Sequence, residues 1–191
     1  MFHRLLYLLN QNWSCPKMVA IRKADDTDVK AFSMKLLSLL EDKKSKIYVD
    51  NVVKFGIPED YVKKAFAEET LQKAIKEGKS TFYLAFEDND LIGFAQTIQR
   101  NASTAELDRI VVFPPHERKG IGTKLLQCAL SDLEQRGTKN VLVVAGKEEE
   151  HARRFYEKNG FKLIKEDTIE APWGKRLNIA TYQLHLGNKT N

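Results

Sequence analysis

The sequence predicts one α/β domain built on a mixed, mostly antiparallel sheet, and three observations predict it. Short β-branched and aromatic runs are interleaved with helix-period segments along most of the 191 residues. Two of those runs, "TFYLAF" (81–86) and "LIGFAQTI" (91–98), are joined by "EDND" and read as a hairpin. A third run, "AELDRIVV" (105–112), leads through a helix pattern to the continuous apolar run "NVLVVA" (140–145), which is the pattern of a crossover to a buried central strand.

Each element has a local cause. Residues 19–24 form a short strand. Asp25, Asp26 and Thr27 offer a helix N-cap, and Val29, Phe32, Leu36, Leu37 and Leu40 follow at helical spacing. "EDKKSK" closes that helix and "FGIP" turns the chain. Pro58 then opens a second helix over residues 58–77, ended by Gly78. After the three strands, Leu125, Leu126, Ala129, Leu130 and Leu133 make one apolar stripe, with Gly137 as C-cap. "EEHARRFYEKNG" is a short helix with Ala152, Phe155, Tyr156 and Asn159 on one face and Gly160 at its end. "FKLIKED" and "NIATYQLHL" are closing strands around the loop "TIEAPWGKRL". The order β-α-α-β-β-β-α-β-α-β-β is that of an α+β mixed sheet, not a doubly wound one.

Composition narrows the function. Hydrophobic residues make up 42% and charged residues 30%, as in a globular protein. Lys+Arg number 31 against 26 Asp+Glu, a net charge of +5 that suits an anionic ligand. The charge is scattered, with no basic stripe interleaved with aromatics, which argues against a nucleic-acid binder. Cys15 and Cys128 have no disulfide or metal spacing, and His3, His116, His151 and His185 lie far apart. A reducing cytoplasmic setting and no metal are expected. The apolar run at residues 5–9 is too short for a membrane span or a secretory signal. The pattern restarts at Met18 with "MVAIRKADDTDV". Residues 1–17 are therefore expected to be an extension and 18–188 a single domain. The rival reading of the extension is a short amphipathic helix packed on the body or a partner.

The stretch "PPHERKGIGTKLLQCAL" (114–130) sits at a strand-to-helix junction. There the first helical N–H groups are unpaired and the helix dipole is positive. Gly120 and Gly122 remove side chains at that spot, and Arg118 and Lys119 add charge, so a pyrophosphate would fit. A tight turn with close helix packing explains the two glycines equally well. Two anion motifs are excluded. A Walker A loop needs Gly-Lys-Ser/Thr, which is missing, and a dinucleotide fingerprint needs glycine where Leu125 stands.

The frame Leu107-Asp108-Arg109-Ile110-Val111-Val112-Phe113-Pro114, followed by Glu117-Arg118-Lys119-Gly120-Ile121-Gly122, resembles the acyl-CoA motif of the GCN5-related N-acetyltransferases. Ala152-Arg153-Arg154-Phe155-Tyr156-Glu157-Lys158-Asn159-Gly160-Phe161 resembles that family's second mark. The resemblance covers about residues 19–186, the first third by element order alone. It implies the family's fold, with the fourth strand splayed from the fifth, and an acetyl group moved from acetyl-CoA to an amine.

By the same resemblance, Glu117, Arg118, Lys119, Gly120, Ile121, Gly122 and Thr123 cradle the pyrophosphate, Glu117 through its backbone N–H alone. Ile110, Val111 and Val112 offer backbone groups to the pantetheine arm. Glu149, Ala152 and Phe155 are further cofactor contacts, Glu149 standing where the family usually has Asn. Tyr156 matches the family's frequent general acid. Glu106 lies at the catalytic glutamate of histone-type members and shares a face with Asp108 by period-2 alternation. Either could act as base, or both could be plain solvated charges. The acceptor is expected between the first two helices and the last strands, among Glu41, Asp42, Asp50, Glu59 and Asp60 with Tyr48, Phe55, Tyr61 and Trp173 as walls. Acids beside aromatics suit a cationic amine. A polyamine, another small amine, a protein N-terminus and a lysine stay open, as does a homodimer. The alternative function is a non-catalytic module that binds or senses an acyl-CoA.

Overall fold

The computed structural model describes residues 18–187. The extension expected over 1–17, Cys15 within it, and the end of the expected domain at 188 lie outside the described residues.

Strand β1 (Val19–Lys23) leads into a turn held by acidic side chains. Arg22 donates two hydrogen bonds of 2.6 Å to Asp28, and Asp25 accepts from the Thr27 N–H at 2.8 Å. These residues close the turn instead of capping the helix, so α1 (Val29–Glu41) starts without a side-chain cap. Its buried stripe is the expected one: Val29, Phe32, Leu36 and Leu40 are each at most 2% exposed. A short helix that the sequence pattern does not announce follows, α2 (Lys46–Tyr48). Ser45 caps it by accepting from the Tyr48 N–H at 3.0 Å. It runs directly into a π-helical turn, Val49–Lys54.

The single helix expected over residues 58–77 is two, α3 (Glu59–Phe66) and α4 (Glu68–Lys76). Ala67 between them is extended, at φ −61° and ψ 142°. The hydroxyl of Ser33, on α1, donates to the Phe66 carbonyl at 2.7 Å and takes up a group that a continuing helix would use. The break has a packing reason. Five helical residues turn the chain by about 500°, which would set Leu71 roughly 140° away from Phe66. With the break, Val62, Phe66 and Leu71 are all buried.

The remaining elements are β2 (Ser80–Glu87), β3 (Asp90–Asn101), β4 (Thr104–Val112), α5 (Ile121–Gln135), β5 (Asn140–Gly146), α6 (Glu150–Lys158), β6 (Lys162–Glu170) and β7 (Arg176–His185). The seven strands form one sheet in the order β1-β2-β3-β4-β5-β7-β6. β4 and β5, joined through α5, run parallel, and the other neighbours are antiparallel. The mixed sheet and its crossover are those expected from the sequence.

Helices cover both faces. On one, Leu125, Leu126, Ala129 and Leu133 of α5 pack into a cluster with Ala85, Ala95, Leu107 and Val141. On the other, Phe32 of α1 meets Phe82 and Phe94 edge-on, with centroids 5.5 and 5.1 Å apart. Among the described residues, no helix is long and apolar enough to cross a membrane.

Candidate active site

The centre of the sheet forks. β4 and β5 pair from Thr104–Asn140 to Leu107–Val143, and there the pairing ends. The closed end is sealed: Ala105, Leu107, Val141 and Val143 are at most 1% exposed. Beyond it, β4 continues along β3 alone, and β5 along β7 alone. The parting coincides with a bulge. Leu107 pairs with Thr97 and Arg109 with Gln96, so Asp108 is the extra residue on β4. The side chains of Ile110 and Val112 then line the α5 side, and Val111 the opposite side.

The loop into α5 closes one side of this opening. Arg118 and Gly120 both take left-handed backbone conformations, at φ 59° and 78°. The first bond of the helix runs from the Lys124 N–H to the Gly120 carbonyl at 3.1 Å. Among the described residues, the N–H groups of 118–123 have no backbone partner. Arg118, Lys119 and Gly120 are exposed, whereas the Ile121 side chain is 2% exposed and belongs to the core. The two glycines have different causes. At Gly120 a Cβ would meet nothing within 4 Å, so the residue answers to conformation. At Gly122 a Cβ would lie 3.7 Å from Phe155 and 3.8 Å from Val112, in ordinary contact. Packing therefore does not require glycine at 122.

α6 closes the other side. Tyr156 is 7% exposed, its ring edge-on to Phe155 and Phe161 with centroids 5.5 and 5.8 Å away. Burial, and after it the charge of Glu149, pushes the Tyr156 hydroxyl well above the usual phenol range. Glu149 precedes α6 and accepts from the Gly146 N–H at the end of β5, at 3.2 Å. A helix N-terminus whose first N–H groups have no backbone partner among the described residues and an unpaired stretch of β4 thus border one opening.

Residues 46–161 match the acetyltransferase (GNAT) family. The chain belongs to it. A spermidine N(1)-acetyltransferase of Thermoplasma acidophilum is 32% identical over 114 residues, which are 58% of this chain and 69% of that protein. Among solved structures, the PaiA N-acetyltransferase of the same organism, in complex with coenzyme A, is similar at a TM-score of 0.63 with 22% identity, over 87% of this chain and 99% of that one. YncA of Salmonella typhimurium, solved with acetyl-CoA, is similar at a TM-score of 0.64 with 18% identity, over 91% of this chain and 96% of that one. This GNAT protein is an acetyl-CoA-dependent acetyltransferase.

Against the expectations for a GNAT site, the chain brings most residues together and sets some apart. Asp108 stands at the fork, where the Arg109 side chain donates to it at 2.8 Å. Glu106 stands below the fork, opposite Leu142 of β5, and Arg100 donates to it at 2.7 Å. On the acceptor side, Trp173 donates to the Phe55 carbonyl at 3.0 Å, so those two expected walls do meet. Tyr48 lies under the Lys43 ammonium, 4.2 Å from its ring centroid. Glu59 is taken up by Lys43 and then Lys63, which hold its carboxyl at about 2. Asp60 is exposed, and Tyr61 is 58% exposed. Glu41 and Asp42 are exposed at the end of α1, where Asp42 accepts from the Lys44 N–H at 2.9 Å.

Sequence reasoning missed Lys46 and Lys54. Both ammonium groups flank Asp50, at 2.9 and 2.5 Å. Burial pushes the Asp50 carboxyl up, but the hydrogen bonds from Lys54 and Lys46 outweigh it and hold the carboxyl below the usual range. Lys54 also lies 3.9 Å from Glu149, and Lys46 3.9 Å from Glu117. The signal was present as alternating charge at i, i+4 in "SKIYVDNVVK".

Proposed function

We propose that this acetyltransferase moves the acetyl group of acetyl-CoA to a primary amine of a small cationic acceptor of the polyamine type. The observation that carries the reading is the fork itself, bordered by the N–H groups of 118–123, which have no backbone partner among the described residues, with Tyr156 on the neighbouring helix α6. One fact supports a cationic acceptor: a relative 32% identical to this chain is a spermidine N(1)-acetyltransferase.

In this reading the N–H groups of residues 117–123, with Arg118 and Lys119, hold the pyrophosphate. Backbone groups of Ile110–Val112 hold the pantetheine arm and donate to the thioester oxygen. Gly122 keeps the passage beside Val112 and Phe155 clear, and Ala152 and Glu149 border it. A neutral amine attacks the carbonyl carbon: the C–N bond forms and the C–S bond breaks. Tyr156 gives its proton to the departing sulfur. Asp108, directly or through water, takes the proton that the amine loses. Glu106 lies below the fork, where β4 is still paired with β5, and is the weaker candidate for that step.

Thiol release from acetyl-CoA tests the reading, with spermidine, a diamine, a lysine peptide and an N-terminal alanine peptide offered in parallel. The expected result is release with the polyamines well above the peptides. Tight CoA binding without release across the panel would favour a non-catalytic acyl-CoA module.

A further inference from the structure

We propose that Lys46, delivered from α2, is a further cofactor-binding residue that offsets Glu117 and completes the charge around the pyrophosphate. The inference rests on the reading of the fork as an acetyl-CoA site. Its starting point is an anomaly. Glu117 sets a carboxylate at the first position of an anion-binding loop, and its side chain is 46% exposed. Among residues 117–123 the side-chain charges are one negative and two positive, from Glu117, Arg118 and Lys119. A carboxylate beside two phosphate charges is repulsive unless a cation stands between them.

Lys46 is that cation. Its ammonium lies 3.9 Å from Glu117. It has three donors on a flexible stem, enough to serve a carboxylate and a phosphate oxygen together. Its backbone is fixed. Ser45 and Ile47 on either side are buried, and the Ser45 hydroxyl donates to the Leu39 carbonyl of α1. Lys46 is therefore presented by the fold, and its side chain can turn without moving α2. The pair with Glu117 is long and partly exposed, and Asp50, at 2.9 Å from the same ammonium, keeps Lys54 as a partner when that ammonium turns to a doubly charged guest.

Lys46 also belongs to a longer run of alternating charge. Glu117, Lys46, Asp50, Lys54 and Glu149 follow one another at 3.9, 2.9, 2.5 and 3.9 Å. One short segment of chain thereby ties the phosphate loop to the start of α6. Its far end is held by Lys175, which donates to the Lys54 carbonyl at 2.6 Å.

Calorimetry with CoA and with acetyl-pantetheine, which lacks the pyrophosphate, tests the proposal. Lys46→Met should weaken CoA about tenfold and leave acetyl-pantetheine unchanged, and Lys46→Arg should restore CoA binding. Glu117→Gln should recover much of the loss in the Lys46→Met background, since the unscreened carboxylate is then gone. Glu117→Gln alone, an exposed and isosteric change, gives an independent reading: CoA should tighten several-fold. Unchanged CoA affinity in Lys46→Met overturns the proposal, and so does equal weakening of both probes or no tightening in Glu117→Gln. Wild-type protein that bound no CoA would instead defeat the reading of the site as a whole.

Discussion

The two halves of β4 differ in what surrounds them. From Thr104 to Leu107 the strand is paired on both sides, and the side chains it turns towards α5 are at most 1% exposed. From Asp108 to Val112 it is paired on one side and half-buried throughout. The first half has the makings of a central parallel strand, with every group satisfied. The second has an unpaired edge in the middle of a sheet, a place where such an edge is otherwise found only at the rim. The proposed chemistry lies along the second half, and the stability that allows it comes from the first.

Changes on the two sides of that boundary should separate stability from turnover. The largest expected effect is on turnover. Tyr156→Phe keeps the packed ring and removes only the donor, so kcat should fall about 10²–10⁴-fold while CoA affinity holds. Unchanged turnover would reduce Tyr156 to a packing residue. The pH profile sharpens this. A raised phenol pKa keeps the donor form present to higher pH, so kcat should show no alkaline loss from Tyr156 until beyond about pH 10. Glu149→Gln removes the second cause of that shift and should bring the alkaline limb down.

Next comes Leu107→Ala at the closed end. It should cost about 2–5 kcal/mol in a denaturant titration, with the KM for acetyl-CoA nearly unchanged in the folded fraction. A large change in KM at little cost in stability would erase the proposed division of the strand. Gly122→Val, on the open side, should do the reverse. Its Cγ atoms would enter the passage between Val112 and Phe155 and weaken CoA about tenfold or more, with a melting temperature close to wild type. Arg118→Ala should matter least, at about 0–1 kcal/mol of CoA affinity, because an exposed charge is screened.

These differences also mark where a sequence can be read. The sheet class, the crossover through α5 and the stripe of α1 follow from periodicity, because each is a local pattern that tertiary packing reinforces. The bulge at Asp108 leaves no such pattern, because the extra residue shows only in the pairing with β3. The break at Ala67 was hidden for a different reason. "FAEETLQKAI" is a good helical sequence, and its break goes with tertiary contacts: Phe66 and Leu71 are both buried, and the Ser33 hydroxyl of α1 donates to the Phe66 carbonyl. The charges at Lys46, Asp50 and Lys54 were visible in spacing, but their reach to Glu117 and Glu149 depends on how α2 lies against the fork. The glycine pair was ambiguous in the sequence, and the structure separates them: Gly120 answers to its left-handed conformation, whereas at Gly122 a Cβ would be in ordinary contact.

The parting of β4 from β5 beside Asp108 has a consequence for the cost of opening. Over the span from Gln96 to Thr97, β4 is one residue longer than its partner, a surplus of about 3.3 Å of contour length. The β3 ladder takes that surplus up again at Arg100, where β3 is the longer by one residue, so the two strands are back in step by the Asn101–Thr104 pair. The fork is then set by where the β4–β5 pairing stops, after Leu107–Val143. A ligand entering it has no strand pairing to pull apart, so its binding free energy is not drained by reorganising the sheet.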